Sequence, residues 1–412
     1  MLVATTVPAL AQTPSVPGGV TMTLGFSQRV EYDDNLQLAA PSPGGSYLST
    51  TRLTFALQSE TATQKISLNT GTALRWSGGS GVSGGVTIDD PQFDLKYSLD
   101  VGASSLSLGA NYRRSDLQFL RPLSDFTLPD GTIVLPPDSA DLFGTGFRTD
   151  YGVNGALTWG ANAPLGITLN LGLQGLTYDQ VSNPALQDNT RINSGVLVRM
   201  RLNDVTDATA NLTFSRFELN PSTSRAYTRG VTLGLNRALV NGTLGATVGT
   251  SNTNAGTRLN IDVTRTMTLP SGSLTAGLGI TRPAGGNYGA TGRLNWQQAL
   301  ANATVSAQIS RGVTVTTANT EQLSTVVALK YNQALNPRDG LSLDVTYTLS
   351  DPSGTGNNIA NTSFGASYSR SLTPDWNMSV GYTMRSRDPE AAAGARSNSV
   401  YVGLQRNFSI RP

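Results

Sequence analysis

The 412-residue sequence contains no cysteine and no histidine, and its lysines are limited to Lys65, Lys96 and Lys330. Each shortage excludes something. Without cysteine there is no disulfide framework, no thiolate metal site and no thiol nucleophile. Without histidine the usual general base and the commonest metal ligand are missing, and most hydrolase and metalloenzyme chemistries go with them. No metal, cofactor or catalytic residue is therefore expected, and an enzyme is not. Apolar runs of the roughly 18 residues that a membrane helix needs are also absent, which excludes a helical membrane protein.

Charge is sparse and balanced. Lys plus Arg number 29 against 27 Asp plus Glu, a net charge of +2, so no overall field points to nucleic acid. Nearly all the cations are arginines, whose rigid forks suit being held against carboxylates better than coating a surface. A hydrophobic fraction of 38% and a mean hydropathy of −0.16 are too apolar for a disordered chain. The length alone would suggest two or three domains at about 150 residues each, but all-β barrels run longer as one unit, and no linker divides this chain.

What the sequence does have is period two. In segments of about ten to thirteen residues, apolar and polar residues alternate strictly, the length and pattern of a tilted strand crossing a bilayer. Ile66, Leu68, Leu74 and Trp76 share one face of such a segment, and Lys65, Ser67, Asn69, Gly71, Ala73 and Arg75 the other. Similar stripes run through Leu106/Leu108/Tyr112, Ile167/Leu169/Leu171/Leu173, Leu341/Leu343/Val345/Tyr347 and Trp376/Met378/Val380/Tyr382. Helical periodicity is missing throughout.

Connection lengths separate a membrane barrel from a soluble sandwich. Short turns are expected near 61–64, 103–104, 161–164, 203–206, 239–242, 270–273, 300–302, 336–340 and 373–375. Between them fall connections that are mostly longer, near 34–47, 78–90, 118–145, 179–188, 220–224, 253–256, 283–287, 315–319, 352–359 and 388–394. That alternation is the mark of periplasmic turns and extracellular loops in an up-and-down barrel. The expected fold class is all-β: a transmembrane antiparallel barrel of about 20 strands (18 to 22) with both termini periplasmic. A secreted β-solenoid would also be rich in Gly, Asn and Thr, but it turns every few residues and does not make stripes this long.

The ends carry signals of their own. Ala9-Leu10-Ala11 has the small-x-small pattern of a secretory cleavage site, so residues 1–11 are expected to be the remnant of a signal peptide and 12–412 the single barrel domain. At the other end Val400, Val402, Leu404, Phe408 and Ile410 alternate with Gly403, Gln405, Asn407 and Ser409. This resembles the closing strand of bacterial outer-membrane barrels, whose terminal aromatic and preceding glycine are read by the barrel-assembly machinery. Phe408 and Gly403 match that signal, although Phe408 stands four residues before the end. A weak repeat precedes the short turns, as in Leu235-Asn-Arg-Ala-Leu239, Tyr368-Ser-Arg-Ser-Leu372 and Leu404-Gln-Arg-Asn-Phe408. Its Arg or Gln shares the lipid side, where the cost is tolerable only near the interface.

The segment Gly25-Phe-Ser-Gln-Arg-Val-Glu-Tyr32-Asp-Asp-Asn35 resembles the opening strand of a family of outer-membrane β-barrel porins of Gram-negative bacteria, the β-barrel porin-2-like family. The resemblance covers a dozen residues. It implies a channel in the outer membrane, with some members associated with exopolysaccharide export.

Assigning the lipid face also assigns the lumen. Its expected lining includes Arg29, Arg52, Arg75, Arg113, Arg199, Arg201, Arg293, Arg385 and Arg387, with Glu31, Asp94, Asp150, Asp262 and Asp344 among many Gly, Ser, Thr and Asn residues. A barrel of this size is too wide for side chains to fill. The arginine excess suggests passage of small hydrophilic solutes, anionic or sugar-like; the alternative is that Arg and Asp pair across strands and simply hold the wall. The longest loop, 118–145, is the third on its side and contains Asp125, Asp130, Asp138 and Asp141. By position and charge it resembles the third loop of general porins, which folds inward as a constriction opposite arginines.

The Gly-rich stretch 78–85 is not a phosphate loop, because no Lys-Ser/Thr and no helix follow it. No plug-sized stretch precedes the first strand, so a gated siderophore-type receptor is not expected. The expected partners are outer-membrane lipid and lipopolysaccharide, the assembly machinery and small-molecule solutes. A non-conducting barrel serving as adhesin or anchor is the competing reading.

Overall fold

Alternating side chains leave each segment with one apolar and one polar face, and neither face can be buried within a single hairpin. The chain resolves this by closing one sheet on itself. The computed structural model describes residues 19–121, 123, 125, 126, 136, 138, 139, 141–220, 225–254, 256–284, 286–315, 321–352 and 358–411. The signal-peptide remnant expected over 1–11 lies outside these residues.

Twenty strands follow in order: β1 (Gly19–Asp33), β2 (Ser46–Glu60), β3 (Gln64–Gly79), β4 (Gly85–Val101), β5 (Ser104–Asp116), β6 (Phe147–Trp159), β7 (Leu165–Asp179), β8 (Asn189–Asn203), β9 (Thr206–Leu219) and β10 (Arg225–Leu239). They continue with β11 (Gly242–Thr253), β12 (Gly256–Leu269), β13 (Gly272–Arg282), β14 (Gly289–Ala299), β15 (Ala303–Val315), β16 (Glu321–Ala334), β17 (Asp339–Pro352), β18 (Ile359–Ser371), β19 (Trp376–Pro389) and β20 (Ala395–Ile410). Each pairs antiparallel with its sequence neighbours, and β1 closes on β20 from Met22 opposite Ile410 to Asp33 opposite Ser399. No edge is left unpaired. With strands about 4.8 Å apart and tilted as barrels require, a ring of this size is roughly 40 Å across between backbones.

Connections on one rim are mostly longer than on the other, as the sequence predicts, although 254–255 is as short as the turns that flank it; the start of β1 and the end of β20 lie at the short-turn rim, where Gly19 faces Glu60 beside the turn at 61–63. One connection is corrected. The loop expected over 78–90 occupies only 80–84, because β4 begins at Gly85. Asp89-Asp90-Pro91 reads as turn chemistry, yet it forms a bulge: Gly71 pairs with Gln92 and Ala73 with Asp89, so Asp90 and Pro91 stand against Thr72 alone.

Paired residues in an antiparallel ladder share a face. The face holding Leu24 and Phe408, Val30 and Val402, and Tyr32 and Val400 is exposed and apolar. The same belt continues through Leu53, Leu74, Leu171, Leu233 and Leu278. An outside this apolar around a polar inside inverts the order of a water-soluble protein, and suits a barrel surrounded by lipid. Strand lengths of 11 residues in β13 to 17 in β4 are sufficient to span it. At the short-turn rim Arg406 points outward, its guanidinium 5.4 Å from the Trp376 ring and 4.3 Å from the Phe408 ring, with Nη2 3.4 Å from Asp375 in the turn. That places the arginine of the repeat where it can snorkel to the interface.

Candidate functional site: a charged wall and an inward loop

The ladder registers put all nine sequence-predicted arginines on the inner face. Arg29 faces Gly403, Arg75 faces Thr50, Arg52 faces Ala73 and Arg113 faces Asp150. Arg199 faces Gly166, Arg201 faces Asp207, Arg293 faces Gly277, Arg385 faces Ser363 and Arg387 faces Asn361. Glu31, Asp94, Asp150, Asp262 and Asp344 share that face with them.

Between β1 and β5 the arginines are bound to buried carboxylates. Arg29 Nε donates to Glu31 at 3.0 Å, Arg52 Nη2 to Asp90 at 2.5 Å, Arg113 Nε to Asp90 at 2.9 Å, and Arg75 to Asp89. The bulge makes this possible. Consecutive strand residues normally point to opposite faces, but Asp90 adopts a left-handed φ of 53°, which aspartate tolerates, and both Asp89 and Asp90 turn inward. Across the barrel seam Arg385 Nη2 donates to Asp33 at 2.8 Å, to Ser397 Oγ at 3.0 Å and to the Leu36 carbonyl at 3.1 Å. In this sector pairing that holds the wall, the blander of the two expected roles, is what the geometry shows.

Arg293 differs. On β14 it donates to Thr264 Oγ1 at 2.6 Å, and among the described residues no carboxylate pairs with it. Around it β12 to β16 line a groove of about 470 Å³ that includes Arg258, Asp262, Gly277, Gly292 and Arg311.

The loop between β5 and β6 lies against the inner wall near the long-loop end. Its two stems meet where the Leu117 N–H donates to the Gly146 carbonyl at 2.8 Å. Leu117, Leu120, Leu142 and Leu186 pack together against Phe126, Tyr178 and Val181, the larger of two buried apolar clusters among the described residues. From this base the described loop residues reach the wall at several points. Phe119 lies under the Arg75 guanidinium at 4.1 Å, Arg121 binds Glu31 on β1, Phe143 lies under Arg387 on β19 at 4.1 Å, and Asp138 binds Arg148 on β6. Burial alone would weaken the Arg121 cation, but Glu31 outweighs it, aided by Asp125 and Asp33, and holds the charge more firmly than in water.

The acidic loop residues expected to face a pore take different places. Asp138 is fully buried and accepts from Arg148 Nε at 2.6 Å, Arg148 Nη2 at 3.3 Å and the Tyr178 hydroxyl at 2.6 Å, so it anchors the loop to the wall. Asp125 closes a turn with Arg121, accepting its N–H at 2.7 Å, and borders a charged cavity of about 220 Å³ between loop and wall. Asp141 is half-buried; burial first, then the neighbouring Asp138, push its carboxyl above the usual aspartate range against the pull of Arg387. Asp130 lies outside the described residues.

Sequence reasoning missed Arg121, Arg148, Asp33, Asp89 and Asp90. Arg148 was within reach, since it stands two residues from Asp150 and shares its face. The others sit in turn-like segments where alternation gives no face.

Of the two residues expected to form an assembly signal, Gly403 points inward opposite Arg29, and Phe408 points outward opposite Leu24. No protein-family model matches the chain, and no curated protein sequence does. Among solved structures it aligns with the siderophore receptor PirA of Pseudomonas aeruginosa at 11% identity, covering 95% of this chain and 80% of that one, with a TM-score of 0.49. It also aligns with Pseudomonas aeruginosa OccK2 in complex with glucuronate at 13% identity, over 95% and 98% of the two chains, TM-score 0.43. Pseudomonas aeruginosa OpdK with vanillate aligns at 12% identity over 95% and 99%, TM-score 0.43. Likenesses this distant leave function to be read from the wall and the loop.

Proposed function

We propose that this chain is a porin-like channel of the Gram-negative outer membrane, passing small hydrophilic solutes by diffusion, with the third long loop as its constriction. One observation carries the reading: the described residues of the loop dock along part of the ring. Its described ion pairs, hydrogen bonds and ring contacts reach β1, β3, β6, β7 and β19, and none of them reaches β8 to β17. On that side the inner residues Arg293 and Asn295 are exposed. A polar wall kept wet on one side and strapped on the other is the arrangement of a narrowed water-filled pore.

The solute class follows from which charges are unspent. Paired arginines on β1 to β5 present little net field, whereas Arg293 is an available cation, so anionic or hydroxyl-rich solutes suit the open side. Phe408 and Gly403 serve as the assembly signal in this reading. Reconstitution in planar bilayers tests it. Stepwise conductance from the refolded, heat-modifiable barrel is expected; a folded barrel without conductance would sink the channel and favour a non-conducting surface barrel. Deleting 121–140 is expected to raise the conductance, and an unchanged value would remove the loop from the role of constriction.

A further inference from the structure

Beyond transport, the outer face carries a cluster of arginines that neither the wall nor the loop uses. Strand β10 presents, on its lipid-facing side and in order from the short-turn end, Leu239, Arg237, Leu235, Leu233, Val231, Arg229, Tyr227 and Arg225. Arg229 and Arg237 thus bracket the apolar stretch. Eight residues at about 3.3 Å each, tilted about 40°, put them roughly 20 Å apart along the barrel axis, close to the height of a lipid-facing belt. Arg229 therefore stands at the long-loop boundary of the lipid.

On β9 the register sets Arg216 beside Tyr227 and Phe214 beside Arg229. Glu218 pairs with Arg216 and accepts from Arg225 Nε at 2.7 Å. Arg229 makes no hydrogen bond or ion pair among the described residues. Three arginines against one glutamate leave the patch with two positive charges in excess. Asn252 on β11 stands opposite Arg229, and Asn254 Nδ2 donates to the Arg225 carbonyl at 3.1 Å while its Oδ1 accepts from the Tyr227 N–H at 3.1 Å, which fixes the backbone beneath the cations. Directly below, the Phe214 and Tyr227 rings lie 6.1 Å apart.

We propose that this patch binds a phosphorylated glycolipid of the outer leaflet, with the arginines holding its phosphate and the aromatic pair and Val231/Leu233 holding its acyl chains. The inference rests on the outer-membrane channel proposed above and on the orientation expected from the sequence, with the long loops outside. Arginine forks match phosphate geometry, and in the plane of the membrane a phosphate arrives attached to a lipid. The direction of the patch favours the lipid over a free ion: it faces sideways along the bilayer, continuous with the apolar belt, and not into the water above.

The test is native mass spectrometry of the full-length refolded barrel taken from micelles containing lipopolysaccharide, its dephosphorylated form, or phosphatidylethanolamine. The wild type is expected to retain lipopolysaccharide alone. R225E/R229E and the milder R225Q/R229Q are expected to lose about tenfold in retained lipid, while R237E at the opposite rim keeps it. Equal retention by the double variants, or retention of the dephosphorylated lipid, would overturn the proposal. So would complete displacement by millimolar inorganic phosphate, which would assign the patch to a free anion. Heat-modifiability on gels confirms that each variant is folded. Planar-bilayer conductance, measured on the same proteins, reports separately on the channel, so failure of lipid binding and failure of conductance are read independently.

Discussion

Asp138 and Arg148 form the most deeply buried ion pair of the inward loop, with side-chain exposures of 0% and 3%. They are ten residues apart in sequence, one in the loop and one at the start of β6, so the pair ties the loop's return path to the wall. Breaking a buried pair leaves one charge desolvated and unpaired, which costs about 3–5 kcal/mol. Asp150, 3.3 Å from Arg148 Nη2, takes up part of that loss.

Asp138→Asn is therefore expected to loosen the loop by about 3 kcal/mol while the barrel stays folded. The readout is limited proteolysis within 121–143, joined to single-channel recordings: faster cleavage and noisier current are expected. Cleavage at the wild-type rate would show that the apolar cluster alone holds the loop.

Asp89 and Asp90 together bind Arg52, Arg75 and Arg113, two negative charges against three positive. Replacing both with Asn keeps the bulge's size and removes two negative charges from the wall, leaving the three cations free. Reversal potentials in a salt gradient are expected to move toward anion preference relative to the wild type. A shift toward cations would mean that these carboxylates do not face the conducting path.

How much of this was legible in the sequence depends on how far apart the partners stand. Alternation along each segment located the strands, because a lipid-facing position and its neighbours two residues away are constrained by the same solvent. The turns at 61–63 and 300–302 fell within a residue of expectation for that reason. The β4 start did not, since Asp-Asp-Pro reads as a turn, and only the arginines waiting on β2, β3 and β5 make a bulge of it. Likewise Asp33 looked like the turn after Tyr32, but closure of the ring brings Arg385, from the far end of the chain, to its carboxylate. The arginine faces could be read locally; their partners could not. The charge excess expected from the arginines alone is accordingly reduced where the pairing is dense.

Asp141 is expected to give the loop a pH response. Its carboxyl is raised in the docked loop, chiefly by burial and then by Asp138, with Arg387 opposing. A carboxyl raised on docking favours the docked state fully below its ordinary range, and that contribution is lost as pH rises through the raised value. Current noise from loop motion is expected to grow across that window, and Asp141→Asn to flatten the response and quiet the channel at neutral pH. A variant with the wild-type pH slope would assign the response to another group.

Arg293 offers the sharpest test of solute preference, because it stands on the side that the loop's described contacts do not reach, with Thr264 as its hydrogen-bond partner. Its neighbours explain why it has room: Gly277 lies directly opposite, and a Cβ there would sit 3.1 Å from Arg293 Cγ. Removing the positive charge lowers the local potential in the lumen, and reversing it inverts the sign, while the arginines of β1 to β5 stay bound to their carboxylates. Arg293→Gln is expected to reduce anion preference and Arg293→Glu to turn the channel toward cations, with little change in conductance at high salt, where screening shortens the reach of one charge to about 3 Å at 1 M. If Arg293→Glu leaves the reversal potential where it was, ions do not pass along β12 to β16, and the conducting path must run on the strapped side. Gly277→Ala supplies the steric counterpart: it crowds the arginine without altering charge, so a selectivity change there of the same size as in Arg293→Gln would point to position, not charge, as what Arg293 contributes.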